Sequence, residues 1–392
     1  MLIPTLLIAL STPMQLGTNV PKELNNSANQ QVKCILQKLK HPYELISLPW
    51  LRARQELRLR RIDGYYTAIL LSEMAPFGQL SAPLYLENWY WFEPQAATAL
   101  DRAERQHGVI RGSHQAKWFE SIGITPTVEV NSAEELVLLL KRKRVDSILM
   151  DLEAFEETAK RVELDPSEIA SEFFRYVPLG VYFSTAYLQQ YPDFLAQFNQ
   201  AIPLCSQTPF TLSASEQTTI VHHVLHQALA LAKQSKIQSA LAQANQQQWP
   251  EKQIVQYDQQ WIQELNLQIS GLAEAMLQTE LSQYLQHWQQ QFNGQIAEIM
   301  LTDQQGRNVA ISELTSDFWQ GDEAKFQDLY QSKLDYVFDE VSFDASTQRF
   351  LVHLSIPIKD VSEQHIGVLI LGIDVELTLQ QCQLSDGNGR CL

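Results

Sequence analysis

The stretch ELTSDFWQGDE, residues 313–323, sets Asp317, Asp322 and Glu323 around the adjacent rings of Phe318 and Trp319. Carboxylates this close attract a hard cation, but Ca²⁺ takes about six to eight oxygen ligands and the segment supplies too few, so no metal is expected. A helical run, EAKFQDLYQ, follows at once. Two carboxylates ahead of it suit a helix start, where they satisfy free N–H groups and complement the dipole. Phe318 and Trp319, with Asp322 beside them, are expected to fold over a sheet as the wall of a ligand pocket; plain core packing is the alternative.

A second constellation is IRGSHQ, residues 110–115, which opens a helix directly after a strand. Gly112 there lets the backbone N–H groups of Ser113 and His114 face an anion. Asp151 follows the strand DSILM and suits a helix N-cap. Trp50, Tyr65, Tyr66, Trp89, Tyr90 and Trp91 supply rings that stack on a flat or cationic ligand or else pack as core. His222 and His226 stand four apart in VHHVLH, but no Glu follows the first His, so the zinc-protease pattern fails. There is no G-x-S-x-G, no Walker loop, no dinucleotide fingerprint and no credible nucleophile with a base. A non-catalytic chain without cofactor is expected.

These residues need elements to position them. From 43 to about 205, short apolar strands alternate with helical patterns: YELISLPW, LRARQELRLRR, IDGYYTAIL, then HGVIRGS, TPTVEVN, AEELVLLLKRKR and DSILMDL. Two such successive units predict an α/β fold in two lobes. From 214 the composition turns to Gln and Ala, and Ile220, Val224, Ala228 and Leu229 share a helical face, which predicts a connector. Beyond Pro250 a second long helix is predicted through Trp261, Leu265, Ile269, Leu272, Met276, Tyr284 and Trp288, stopping at Asn293–Gly294. The period then becomes two in IAEIMLTD, NVAIS, DYVFDEVSFD, RFLVHLSIPI and IGVLILGIDV, predicting an antiparallel five-strand meander in an α+β layout.

The net charge of −16 over 392 residues repels phosphate backbones and anionic lipid, so neither nucleic acid nor a membrane surface is an expected partner. The basic runs at 52–61 and 141–144 sit toward helix ends, where cations suit the dipole. Residues 1–12 read as a signal peptide, with a first buried strand as the rival view, and no later run reaches the length of a membrane span. Of four cysteines, Cys382 and Cys391 flank a Gly-rich loop that closes easily into a disulfide.

Five phrases carry a family resemblance: LPWLRARQELRLRRIDGYYT, LSAPLYLENWYWF, GVIRGSHQAKWFESIGI, LLLKRKRVDSILMD and YFSTAYLQQYPDFLAQFNQAI. In this order the chain resembles the type II periplasmic solute-binding proteins of the amino-acid-receptor branch. The resemblance implies a Venus-flytrap domain over 13–210, with lobe 1 at about 13–95 and 190–208 and lobe 2 at about 100–188. It implies a cleft with Trp50, Arg52, Tyr66, Thr67, Ser81, Arg111, Ser113 and Asp151 on the ligand, Asp151 meeting an amino group. The family's carboxylate-clamping arginine falls on Met74, and no Lys or Arg occurs between Arg61 and Arg102. Either the solute is no ordinary α-amino acid, or Arg52 or Arg111 supplies the charge, or the cleft binds nothing.

The phrases IVQYDQQWIQEL, AEIMLTDQQGRNVAISELTSDFWQGDEAKFQ, VSFDAST, LSIPIKD and IGVLILGID resemble the single Cache sensor domains, PAS-like relatives, over about 252–380. A Gln-rich connector at 211–251 and a tail at 381–392 complete the expected organisation. Together the resemblances imply periplasmic recognition of a small polar solute, amino-acid-like, amine or carboxylate. Closure is expected to be read by a membrane sensor kinase or cyclase, or by the permease of an ABC importer; a scaffold that binds nothing is the third expectation. A homodimer through the Gln-rich helices would cover their long amphipathic faces.

Overall fold

The computed structural model of the protein describes residues 12–19, 27–95, 105–205, 210–332, 334–344 and 349–383. The expected signal peptide and the expected Cys382–Cys391 bridge lie outside the described residues. The chain forms two compact units, Met1–Pro209 and Phe210–Leu392.

The first unit is mixed α/β. It opens with β1 (Met14–Thr18), α1 (Ser27–Lys38), β2 (Tyr43–Ser47), α2 (Trp50–Arg58) and β3 (Gly64–Ala68). β1 pairs in parallel with both β2 and β3, which helical crossovers permit. The strands β4 (Gly78–Leu80) and β5 (Tyr85–Pro94) follow. Then β6 (His107–Ile110), α3 (His114–Ser121), β7 (Val128–Val130), α4 (Ala133–Lys141), β8 (Ser147–Asp151) and α5 (Leu152–Arg161) repeat the alternation. β6 is parallel to β7 and β8. β9 (Ile169–Ser184), α6 (Thr185–Gln190) and α7 (Phe194–Ala201) close the unit.

One sheet runs in the order β2-β1-β3-β9-β5-β8-β6-β7, with β4 also on β9. β9 joins two parallel halves, because its residues 169–179 pair with β5 while 180–184 pair with β3 and β4. β5 in turn pairs with β8 through Trp89–Phe92. Two antiparallel strands thus carry the chain between the halves. The chain re-enters the first half inside β9, near Gly180, earlier than the expected 190.

Each half buries its own apolar set. In the first, Val32, Ile35, Leu36, Phe183 and Phe198 pack on one face of the sheet, and Ala53, Leu57, Ile62, Tyr65 and Tyr182 form a second cluster. In the second, Trp89, Trp91, Val109, Phe119 and Leu149 pack together. Each such side chain contributes roughly 1.5–3 kcal/mol on burial. A disulfide, Cys34–Cys205, ties α1 to the segment after α7, with Cα atoms 5.8 Å apart.

The second unit begins with α8 (Ala214–Ala232), started by a capping box of Ser213 and Glu216, and α9 (Ser235–Asn245). These helices were expected as a Gln-rich connector, and Ile237 and Leu241 are fully buried while Asn245 Nδ2 donates to the Ile366 carbonyl at 2.7 Å. They belong to the second unit. α10 (Glu251–Asn266), α11 (Leu272–Leu277) and α12 (Glu280–Gln290) replace the single long helix expected. The break has a local cause: Gln268 turns left-handed at φ 53°, and Glu264 accepts from Leu272 N at 2.7 Å, capping the next segment.

The strands are β10 (Ile296–Asp303), β11 (Asn308–Ile311), β12 (Val337–Phe338), β13 (Ser342–Asp344), β14 (Arg349–Lys359) and β15 (His365–Asp374). Two helices, α13 (Ala324–Ser332) and α14 (Val375–Gln383), accompany them. All pairs are antiparallel, but the order β11-β10-β15-β14-β12, with β13 on β14, is not a meander. The apolar strands β10 and β15 take the centre, where both edges of each are paired, and the shorter β11 and β12 take the rims.

Candidate functional site

The two halves of the first unit meet through side chains of opposite origin. His114, the first residue of α3, is 2% exposed, and its Nε2 lies 2.7 Å from the carbonyl oxygen of Thr67 on β3. A carbonyl only accepts, so Nε2 carries the hydrogen and Nδ1 is a bare acceptor, buried and without a partner among the described residues. Burial pushes His114 down to about 4, ahead of the opposing bond to Thr67, so the imidazole is neutral at physiological pH. The Trp50 ring, at the start of α2, lies 5.3 Å from it.

Thr67 sits at φ +61°, beside a register shift between Tyr66 and Ala68. A β-branched residue there is strained, by about 1–2 kcal/mol, and is held by its neighbours. Its Oγ1 donates to the Tyr66 carbonyl at 2.6 Å and also meets Asn19. Gly112, at φ +68°, approaches α2 so closely that a Cβ would stand 2.5 Å from Leu51 Cγ. Arg54, 3% exposed, donates from one guanidinium nitrogen to the Gly112 carbonyl at 3.2 Å. Its other terminal nitrogen, the Trp50 Nε1 and the Tyr65 hydroxyl are buried without partners among the described residues. Lys117 of α3 pairs across the junction with Glu73 at 3.6 Å.

The expected cleft residues divide accordingly. Trp50, Thr67 and Ser113 gather at this junction, although Ser113 is spent as the cap of α3, accepting from Ala116 N at 3.1 Å. Asp151 caps α5 through Ala154 N at 2.9 Å and also accepts from Asn88 N at 2.9 Å. Tyr66 is buried in the cluster shared with α1 and donates to Asn29, and burial pushes it up to about 12. Ser81 is locked between the Ala82 carbonyl and Val181 N at the β4–β9 pair. Arg52 and Arg111 bring no charge inward: both are exposed, on Glu56 at 2.7 Å and Glu129 at 3.2 Å. Long basic side chains at a helix surface reach water more cheaply than a cleft.

Sequence reasoning missed Arg54 and Glu87, and took His114 for its backbone N–H and not for its ring. Arg54 was legible as a cation in the apolar stripe Trp50, Ala53, Arg54, Leu57, spaced for one helix face. Glu87, on β5, accepts from Trp89 Nε1 at 2.8 Å; burial first, then Asp151, push it up to about 8. Burial likewise raises Asp151. Between them these groups present donors and acceptors, a set fitted to hydrogen-bond a polar molecule.

In the second unit Phe318 is core: it is 4% exposed and packs with Trp261, Met300 and Ile370, its ring 4.6 Å from Tyr257. Asp258 accepts from both Phe318 N and Trp319 N, at 2.8 and 3.0 Å, and Trp319 Nε1 donates to the Gln305 carbonyl at 2.8 Å. Asp322 is exposed, and α13 starts after it, at Ala324. An open cavity of about 360 Å³ lies instead among Leu277, Gln286, Gln289, Ser312 and Glu313. His222 and His226 are exposed on α8. Among the described residues no group of three or more His, Cys, Asp or Glu is placed to hold a metal, and no helix is long and apolar enough to cross a membrane.

No family model matches the sequence, and no curated protein matches it. Among solved structures, a histidine kinase sensor domain with similarity to periplasmic binding proteins aligns with a TM-score of 0.42 and 12% identity, over 49% of this chain and 89% of that one. The arginine-, lysine-, histidine-binding protein ArtJ from Geobacillus stearothermophilus aligns with a TM-score of 0.38 and 16% identity, over 49% and 89%. An arginine 3rd transport system periplasmic binding protein from Legionella pneumophila gives 0.39 and 15%, over 50% and 93%.

Proposed function

We propose that the first unit is a two-lobed, flytrap-like receptor that closes on a small polar solute, and that the second is a Cache-like sensor unit, in a protein of the periplasm whose bound form is read by a membrane signalling partner. The observation that carries the reading is the polar junction between the halves. Domain cores meet through apolar side chains, whereas this junction sets His114, Arg54 and Trp50 face to face with hydrogen-bonding atoms unpaired. Among the described residues two strands, β5 and β9, join the halves, which suits hinged closure. The Cys34–Cys205 bridge supports an oxidising compartment.

The test is a thermal-shift screen of the full chain against amino acids, polyamines, carboxylates and nucleobases. Binding to the native state raises stability by about 2.7 kcal/mol at a hundredfold excess over Kd. The reading expects a saturable rise with one chemical class, and a flat response to the whole panel contradicts it.

A further inference from the structure

The family-type arginine position is Met74, and Arg52 and Arg111 face water, so the origin of a charge for the solute is open. Arg54 is the buried cation of this region. It is 3% exposed, and among the described residues no ion pair holds it; its hydrogen bond goes to the Gly112 carbonyl, which leaves one terminal nitrogen without a described partner. A guanidinium taken out of water is rarely left without an acid. Glu73, the carboxylate of the neighbouring loop, is engaged by Arg58 at 3.1 Å and Lys117 at 3.6 Å. Burial lowers Arg54 from its ordinary value, outweighing the opposing pull of Tyr65, Glu73 and Glu120.

Two further buried donors have no partner among the described residues: Trp50 Nε1, one turn before Arg54 on α2, and the hydroxyl of Tyr65, which is 1% exposed and packs in the cluster between α2 and β3. We propose, building on the solute-receptor reading, that Arg54 is the residue that grips the carboxylate end of the solute, from helix α2. The carboxylate supplies the missing anion, accepts from the free arm of Arg54 and from Trp50, and lies at the seam where Gly112 and His114 of the other half arrive. A planar, always-charged fork suits that task better than an ammonium. The assignment makes the solute a carboxylate, not a polyamine or a nucleobase.

The experiment compares L-amino acids and simple carboxylates, each beside its own carboxamide, by thermal shift on the full-length wild type, Arg54→Met and Arg54→Lys. The wild type is expected to prefer an acid over its amide by at least tenfold in apparent affinity, and both variants to lose that preference. Without solute, Arg54→Met is expected to melt no lower than wild type, because it removes a buried charge that no described ion pair compensates. A large fall in its melting temperature, or its failure to fold, makes Arg54 a structural residue and overturns the assignment, as does acid preference retained in Arg54→Lys. A wild-type shift given equally by acids and amides, or by amines alone, also overturns it and leaves the receptor reading standing; no shift with any solute overturns both.

Discussion

His114 Nε2 stands 2.7 Å from the Thr67 carbonyl, so a buried imidazole of one half hydrogen-bonds the backbone of the other at a left-handed residue. A contact of this kind ties the approach of the halves to the charge of one ring. Protonation would put a cation beside Arg54 in a dry site, so it opposes the contact.

The pH dependence follows with a definite sign. His114 titrates at about 4 in the fold against 6.5 outside it, so between those values the unfolded chain holds the extra proton. Its contribution is fully present above 6.5 and is lost as pH falls toward 4, in all roughly 3 kcal/mol. Urea unfolding of the first unit's transition from pH 7 to 4 should show that slope, and His114→Gln should flatten it.

His353 gives the opposite sign in the second unit. Burial alone would lower it, but Asp339 at 2.7 Å and Glu298 at 2.9 Å outweigh burial and raise it to about 9. Its contribution is present below 6.5 and disappears as pH rises through about 9. His353→Gln should therefore destabilise the second unit at pH 7 and much less at pH 10, measured by the melting temperature at each.

Gly112→Ala should damage the junction. The added methyl would meet Leu51 at 2.5 Å on a backbone at φ +68°, where a side chain costs about 1–2 kcal/mol before any clash. A lower melting temperature of the first unit with an unchanged second transition is expected in calorimetry.

Reduction of Cys34–Cys205 should be costly, because the bridge spans 171 residues of sequence and loop-closure entropy for that length is about 5 kcal/mol. Cys34→Ser or reductant should lower the first unit's melting temperature and leave the second unit's unchanged.

The alternation of strands and helices in residues 43–205 was legible because each element carries its own period, and β2, α2, β3, α4 and β8 stand where the patterns place them. Pairing order was not. In the second unit the strands were read as successive neighbours, but β10 lies beside β15 because burial of apolar strands at the sheet centre outweighs proximity in sequence. The long helix after Pro250 failed for a local reason: an apolar stripe continues through Ile269 and Leu272 even though Ser270–Gly271 interrupts the backbone. Spacing carried no sign that Cys34 and Cys205 pair, since their neighbourhood is made by packing of α1 against α7. At the junction, Gly112 and Thr67 were found from motif and resemblance, whereas Arg52 was chosen where Arg54, two positions on and facing inward, is the buried cation.

Hydrogen-exchange mass spectrometry of the full chain, with and without the solute that raises the melting temperature most, tests hinged closure directly. Peptides covering 64–74 and 107–116, one from each half, should both slow on binding and do so at the same solute concentration. Protection confined to one of the two peptides, or to neither, would contradict closure of the halves on a solute.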